Sequence, residues 1–167
     1  MKNDVEKQRK SGLLYSVVTV CVLSVIIMCV TVFTPKKETG EFVPPPFDLS
    51  AEQGSPIVPN DIYWQEFDAK AFKVGICGKI NMIGSNADIW LYNSAENDVW
   101  LKVRILKTDG TVLGETGVIR PDEYVKSVEL NTEVESDSPL LLKVMAYQPN
   151  TYFSEGSVNI EAFAYNK

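Results

Sequence analysis

The sequence predicts an all-β fold, an antiparallel two-layer sandwich of about seven strands carried behind one N-terminal transmembrane helix. Three observations predict it: an uncharged 21-residue run at Leu13–Phe33, a proline-dense stretch after it, and period-two alternation of apolar residues from about residue 62. They divide the chain into a short cytoplasmic tail (1–11), a membrane span (12–34), a stalk (35–61) and an extracytoplasmic domain (62–167).

At helical rise the 21 residues of the span reach roughly 31 Å, the thickness of a hydrocarbon core of about 30 Å. Val and Ile are indifferent helix formers in water, but in lipid the backbone must bond to itself, so the helix is imposed. Ser16, Thr19, Ser24 and Thr31 can bond back to carbonyls one turn earlier. The run exceeds the usual apolar region of a cleaved leader and has no A-x-A exit, and neither Cys21 nor Cys29 follows a small residue. It is therefore read as an uncleaved signal anchor in contact with membrane lipid. Four Lys/Arg precede it and Lys36 and Lys37 follow, which places the N-terminus in the cytoplasm and the C-terminal domain outside the cell. Cys21 and Cys29 read as small apolar lipid-facing residues. Cys77 is the only thiol beyond the span, so the outer domain must rest on its apolar core rather than on a disulfide.

The stalk holds six of the nine prolines, including Pro44-Pro45-Pro46. Proline fixes φ and removes an amide donor, so this stretch is expected to stay out of any sheet and to hold a polyproline II spacer. A ligand for a proline-recognition domain is the functional alternative.

In the outer domain Val74, Ile76, Gly78, Ile80 and Met82 alternate with Lys73, Gly75, Cys77, Lys79 and Asn81. Ala87, Ile89 and Leu91 follow against Asp88, Trp90 and Tyr92, then Val99, Leu101, Val103 and Ile105 against Trp100, Lys102 and Arg104. Asp109-Gly110 signals a tight turn into Thr111–Leu113, and Arg120-Pro121-Asp122 a turn before a strand at Glu123–Leu130. Leu140–Tyr147 and Ser157–Tyr165 supply the last two strands around Pro149-Asn150. Short strands with no helical stretch between them suit immunoglobulin-like architecture. The fold has one thiol to spare: Cys77 stands opposite Ile76 and Ile80 and is expected to be half-covered.

Charge and composition exclude several functions. The chain carries a net −6, split into +2 over residues 1–11 and −8 beyond the span, which argues against nucleic acid as a partner. There is no His, so imidazole chemistry is unavailable, and no G-x-S-x-G or glycine-rich phosphate loop occurs. No catalytic residue and no cofactor is expected. A secreted glycosidase using paired carboxylates ranks a distant third among functions.

Two groups remain as candidate sites. If Asn93–Asp98 closes a hairpin, Tyr92 and Trp100 become cross-strand neighbours, with Trp90 two positions along the same outward face. Such an aromatic platform suits a sugar ring or a protein partner; the alternative is that the segment Ile62–Phe67 or another copy covers it. The loop itself gathers Asn93, Glu96, Asn97 and Asp98, oxygen ligands of the kind calcium takes. Turns favour Asn and Asp for backbone reasons, and the EF-hand spacing is absent, so the turn reading leads. Glu133, Glu135 and Asp137 read as a solvated loop.

The segments Ala51–Pro56, Leu91–Asn97, Asp109–Leu113, Gly117–Pro121 and Val128–Leu130 together resemble small single-pass surface proteins of Gram-positive bacteria, often encoded near conjugative or genome-island genes. The resemblance spans most of residues 45–165 and implies a membrane anchor and one β-sandwich with an N-x-x-x-N turn and an I-x-P-x turn, here Asn93–Asn97 and Ile119–Asp122. The chain departs from that pattern at Ser136–Leu140, where a Gly-Thr-Tyr-like turn is usual. The resulting expectation is a membrane-anchored, surface-exposed, non-enzymatic binding or adhesion module with a protein or glycan partner. The alternative is an accessory structural subunit of a cell-envelope or conjugative assembly. Oligomeric state stays open.

Overall fold

The computed structural model describes Cys21, Val22, Ser24 and residues 42–166. The predicted tail, nearly all of the predicted membrane span, and stalk residues 35–41 lie outside the described residues. Cys21, Val22 and Ser24 are helical, and among the described residues no helix is long and apolar enough to cross a membrane.

From residue 42 to 166 the protein is all-β. Ten strands form in chain order: β1 (Glu52–Gln53), β2 (Trp64–Ala69), β3 (Phe72–Cys77), β4 (Lys79–Ile83), β5 (Asn86–Asn93), β6 (Trp100–Lys107), β7 (Val112–Glu115), β8 (Glu123–Glu129), β9 (Pro139–Tyr147) and β10 (Ser154–Asn166). Eight of them make a curled open sheet in the order β1-β8-β5-β4-β10-β9-β6-β7, and β2 pairs with β3, which pairs with β5. Every pairing is antiparallel except β4 with β10. The curl brings the far strand back toward β8: the Asn131 amide donates to Leu113 O at 2.7 Å.

Period-two alternation is the cause of the curl, because it gives each strand one apolar face to hide. Ile76, Ile80, Ile89, Leu91, Leu101 and Leu142 are fully buried inside it. Burying each such side chain contributes roughly 1.5–3 kcal/mol, and this core holds the domain without a disulfide. Turn chemistry behaves as expected. Gly110 takes φ +87° between β6 and β7, while Asp122 takes +60° before β8. The Thr111 amide donates to Asp109 Oδ1 at 2.9 Å.

Three expectations need correction. The run Lys73–Met82 is two strands, because the chain breaks its pairing at Gly78 and passes from β5 toward β10. Cys77 is fully buried rather than half-covered. Its partner across the ladder is Trp64 on β2, which covers the second face of β3; a Cβ at Gly75 would collide with the Trp64 ring. The stalk also joins the sheet in part. Glu52 and Gln53 pair with β8, and Phe47 bridges Val118, because these residues between the prolines keep their amide donors.

Candidate functional site

The expected aromatic platform of Trp90, Tyr92 and Trp100 does not form, for a topological reason. The segment Asn93–Asp98 is not a hairpin: β5 pairs with β3, β4 and β8, whereas β6 pairs with β7 and β9. Tyr92 lies across from Tyr124 and Gly75, and Trp100 lies across from Tyr147. Tyr92 is only 6% exposed. Its hydroxyl accepts from the Ala95 amide and donates to Asp122 Oδ1, both at 3.3 Å, and burial pushes the phenol up.

Trp90 sits in a β-bulge. Asp88 pairs with Ser127 and Leu91 with Val125, so Ile89 and Trp90 together face Lys126. Trp90 takes φ +48° there. Side chains from β2 and β3 donate to the backbone carbonyls of this bulge. Trp64 Nε1 donates to Trp90 O at 2.8 Å, and the Cys77 thiol reaches Asp88 O and Ile89 O, both at 3.1 Å. The Trp90 ring stacks on Tyr124 with centroids 6.3 Å apart, and Lys126 Nζ lies 5.5 Å from it.

The Asn93–Asp98 loop is tied down by side-chain hydrogen bonds. Asn93 Nδ2 donates to Val99 O (2.8 Å) and Ile119 O (3.2 Å), and its Oδ1 accepts from Asn97 Nδ2 (2.6 Å). Asn97 Nδ2 also donates to Lys73 O, while its Oδ1 accepts from the Lys73 amide. Glu96 pairs with Lys73 Nζ at 2.6 Å, and that hydrogen bond holds the ammonium above its usual range. Asn93 and Asn97 thus spend their side-chain amides on this network, while Glu96 meets Lys73 through one carboxylate oxygen and, like Asp98, is exposed. Among the described residues no group of three or more Cys, Asp or Glu side chains is placed to hold a metal ion. Glu133, Glu135 and Asp137 are exposed, as a solvated loop requires.

Trp100 belongs to a different aromatic group. It meets Phe47 and Tyr152 edge-on, with centroids 4.8 and 5.2 Å away, and Tyr147 stands 6.5 Å from Tyr152. The Arg120 guanidinium lies 3.7 Å over the Phe47 ring and reaches Glu123 at 3.2 Å. The β9–β10 connection supplies Tyr152 at φ +57° next to Phe153, which is 70% exposed. Such φ values are uncommon for aromatic residues and cost roughly 1–3 kcal/mol, so the loop is held by what surrounds it.

Alternation carries the outward face of β6 and β9 away from this group in rows. Trp100 faces Tyr147, Lys102 faces Met145, and Arg104 faces Lys143. On the next strand Ser157 faces Met145 and Asn159 faces Lys143. Glu115 of β7 bridges the first two cations, to Lys102 Nζ and Arg104 Nε, both at 2.7 Å. Partial burial raises the Glu115 carboxyl, but the Lys102 and Arg104 hydrogen bonds outweigh it and hold the group below its usual range. Phe47, Tyr147, Tyr152 and Lys143 were not singled out from sequence. Lys102 and Arg104 stood there only as the polar half of an alternation, and the signal joining them to β9 is a register that no local pattern encodes. No family model matches the chain, and no curated protein is significantly similar to it.

Proposed function

We propose that this protein is a non-enzymatic binding or adhesion module displayed at the cell surface. In this reading residues 12–34 are an uncleaved membrane anchor and the domain beyond them is extracellular. The domain reads as an immunoglobulin-like sandwich, with β8-β5-β4 as one layer, β10-β9-β6-β7 as the other, and the parallel β4·β10 pair as the seam. The resemblance to Gram-positive surface proteins agrees with that assignment.

The observation that carries the proposal is the aromatic group around Trp100 at one end of the β6–β9 face, rimmed by the exposed Phe153. Rigid aromatic side chains offer large contact area at low entropic cost, which is why they dominate binding hot spots. The aromatic contact face thus moves from Trp90, Tyr92 and Trp100 to Trp100 with Tyr147 and Tyr152.

The test has two arms. Protease added to intact cells should digest the domain, and Trp100→Ala should abolish attachment to surfaces or partner cells while leaving a folded domain. Digestion only after lysis, or full attachment by the folded variant, would overturn the reading. Replacing residues 12–33 with an unrelated apolar helix should leave attachment intact. Loss of a co-purifying partner on that swap would favour the accessory-subunit alternative.

A further inference from the structure

The rows below Trp100 hold an arrangement that folding alone does not favour. Arg104 and Lys143 are directly opposed across the β6–β9 ladder, with Lys102 two residues from Arg104 on the same face. Like charges in opposed positions destabilise a sheet pair. One carboxylate, Glu115, serves both Lys102 and Arg104, and Lys143 has no ion-pair partner among the described residues. The next acid on this face, Glu161, stands opposite Leu141 one row further on. Lys102 is buried and its charge is met by Glu115, so Arg104 and Lys143, both part-exposed, are the cations this face presents to a ligand in a chain of net charge −6.

We infer that the outer face of β6, β9 and β10 is a binding subsite for an anionic saccharide, with carboxylate or phosphate groups seated between Arg104 and Lys143. This rests on the binding-module reading and supplies its ligand class. Three features select a sugar polymer. Tyr147 and Trp100 place aromatic rings two rows above Arg104 and Lys143, about 13 Å along the strands, so a ligand touching both is an oligomer. Ser157 and Asn159, exposed beside Met145 and Lys143, offer hydroxyl and amide groups that suit sugar hydroxyls. The neighbouring edge strand β7 is four residues long, a poor ladder for an added peptide strand.

The experiment uses the full chain in a nonionic detergent with three probes: polygalacturonate, neutral dextran and polyglutamate. Polygalacturonate should bind, weakening as salt rises, and the other two should bind at least tenfold more weakly. Lys143→Glu, which breaks no ion pair among the described residues, should reduce polygalacturonate affinity tenfold or more with unchanged circular dichroism. Tyr147→Ala should weaken binding without changing its salt dependence. Equal binding of polyglutamate, equal binding of dextran, no binding of polygalacturonate, or an indifferent Lys143→Glu would each overturn the subsite. Attachment of cells that depends on Trp100 but not on Lys143 would remove this inference and leave the binding-module reading standing.

Discussion

Asn97 donates its side-chain amide to the side-chain carbonyl of Asn93 at 2.6 Å, and through that bond the β5–β6 connection is tied to β3. Each asparagine then spends its remaining capacity on backbone. Asn93 serves two carbonyls on the β6 side, Val99 and Ile119, and Asn97 serves both backbone groups of Lys73. The N-x-x-x-N spacing is thus a structural device: three residues separate two amides that must meet where the chain leaves one strand for a strand it does not pair with.

The first prediction follows directly. Asn93 is fully buried, so Asn93→Ala leaves Val99 O without this donor and Asn97 without its acceptor, while Ile119 O keeps the Leu101 amide. Orphaned buried groups cost about 1–3 kcal/mol each, so the loss should be roughly 2–4 kcal/mol. Urea unfolding of the full chain measures it. Asn97→Ala should cost less because Asn97 is only half-buried, and a double mutant should fall short of the sum. Strict additivity would mean that the 2.6 Å contact carries no coupling.

Strand parity was legible because it is local. Val103 and Ile105 had to hide wherever β6 paired, and Gly110 and Pro121 marked turns by their own backbone chemistry. Strand partnership was not legible. Tyr92 and Trp100 are not cross-strand neighbours, because β4, β10 and β9 stand between β5 and β6 in the strand order and the loop crosses from the β8 side of the sheet to the β9 side. The bulge at Trp90 was hidden too, since Ile89 and Leu91 keep their burial while the ladder slips by one. Glu52, Gln53 and Phe47 were masked by neighbouring prolines, although their own amides remain free to pair.

Cys77 gives a pH prediction of the alkaline kind. Burial pushes its thiol from an ordinary value of 9.0 up to about 12. The unfolded chain therefore loses this proton first as pH rises, and the native state alone keeps it bound. Stability is then intact below the ordinary value and falls as pH climbs, by about 1 kcal/mol between pH 9 and 10. That window precedes the tyrosines, of which Tyr92 and Tyr124 are also raised from 10.0. Urea midpoints of the wild type and Cys77→Ala should diverge in slope across it, whatever their difference at pH 8. Parallel slopes would show that the thiol ionises in the folded protein.

Glu115 gives the acid counterpart. Its folded carboxyl lies below the usual range, so the contribution is complete above that range and fades as pH falls through the folded value. Glu115 is 41% exposed, so solvent screening keeps the effect below about 1 kcal/mol. Between about pH 6 and pH 3 the wild type should lose more stability than Glu115→Gln. A variant as acid-sensitive as the wild type would place the responsible carboxylates elsewhere.

The last prediction concerns how the proline-rich segment is fastened to the domain. The Gly117 amide donates to Asp48 Oδ2 at 2.7 Å, Val118 N donates to Pro46 O, and Asp48 N donates to Val118 O, the latter two at 2.9 Å. A Cβ on Gly117 would run into the backbone of Phe47 and Asp48, which cannot swing aside as a side chain does. Gly117→Ala should therefore lift Pro44–Asp48 off, free Phe47 from Trp100 and Arg120, and cost about 1–3 kcal/mol. The readout is limited chymotrypsin digestion of the full chain, in which cleavage after Phe47 should accelerate while the strands stay intact. Gly110→Ala is the control: it strains a φ of +87° with open space around it, so it should lower stability without exposing Phe47. If Phe47 stays protected in Gly117→Ala, the segment is not fastened at Gly117, and the Phe47–Trp100 contact persists without it.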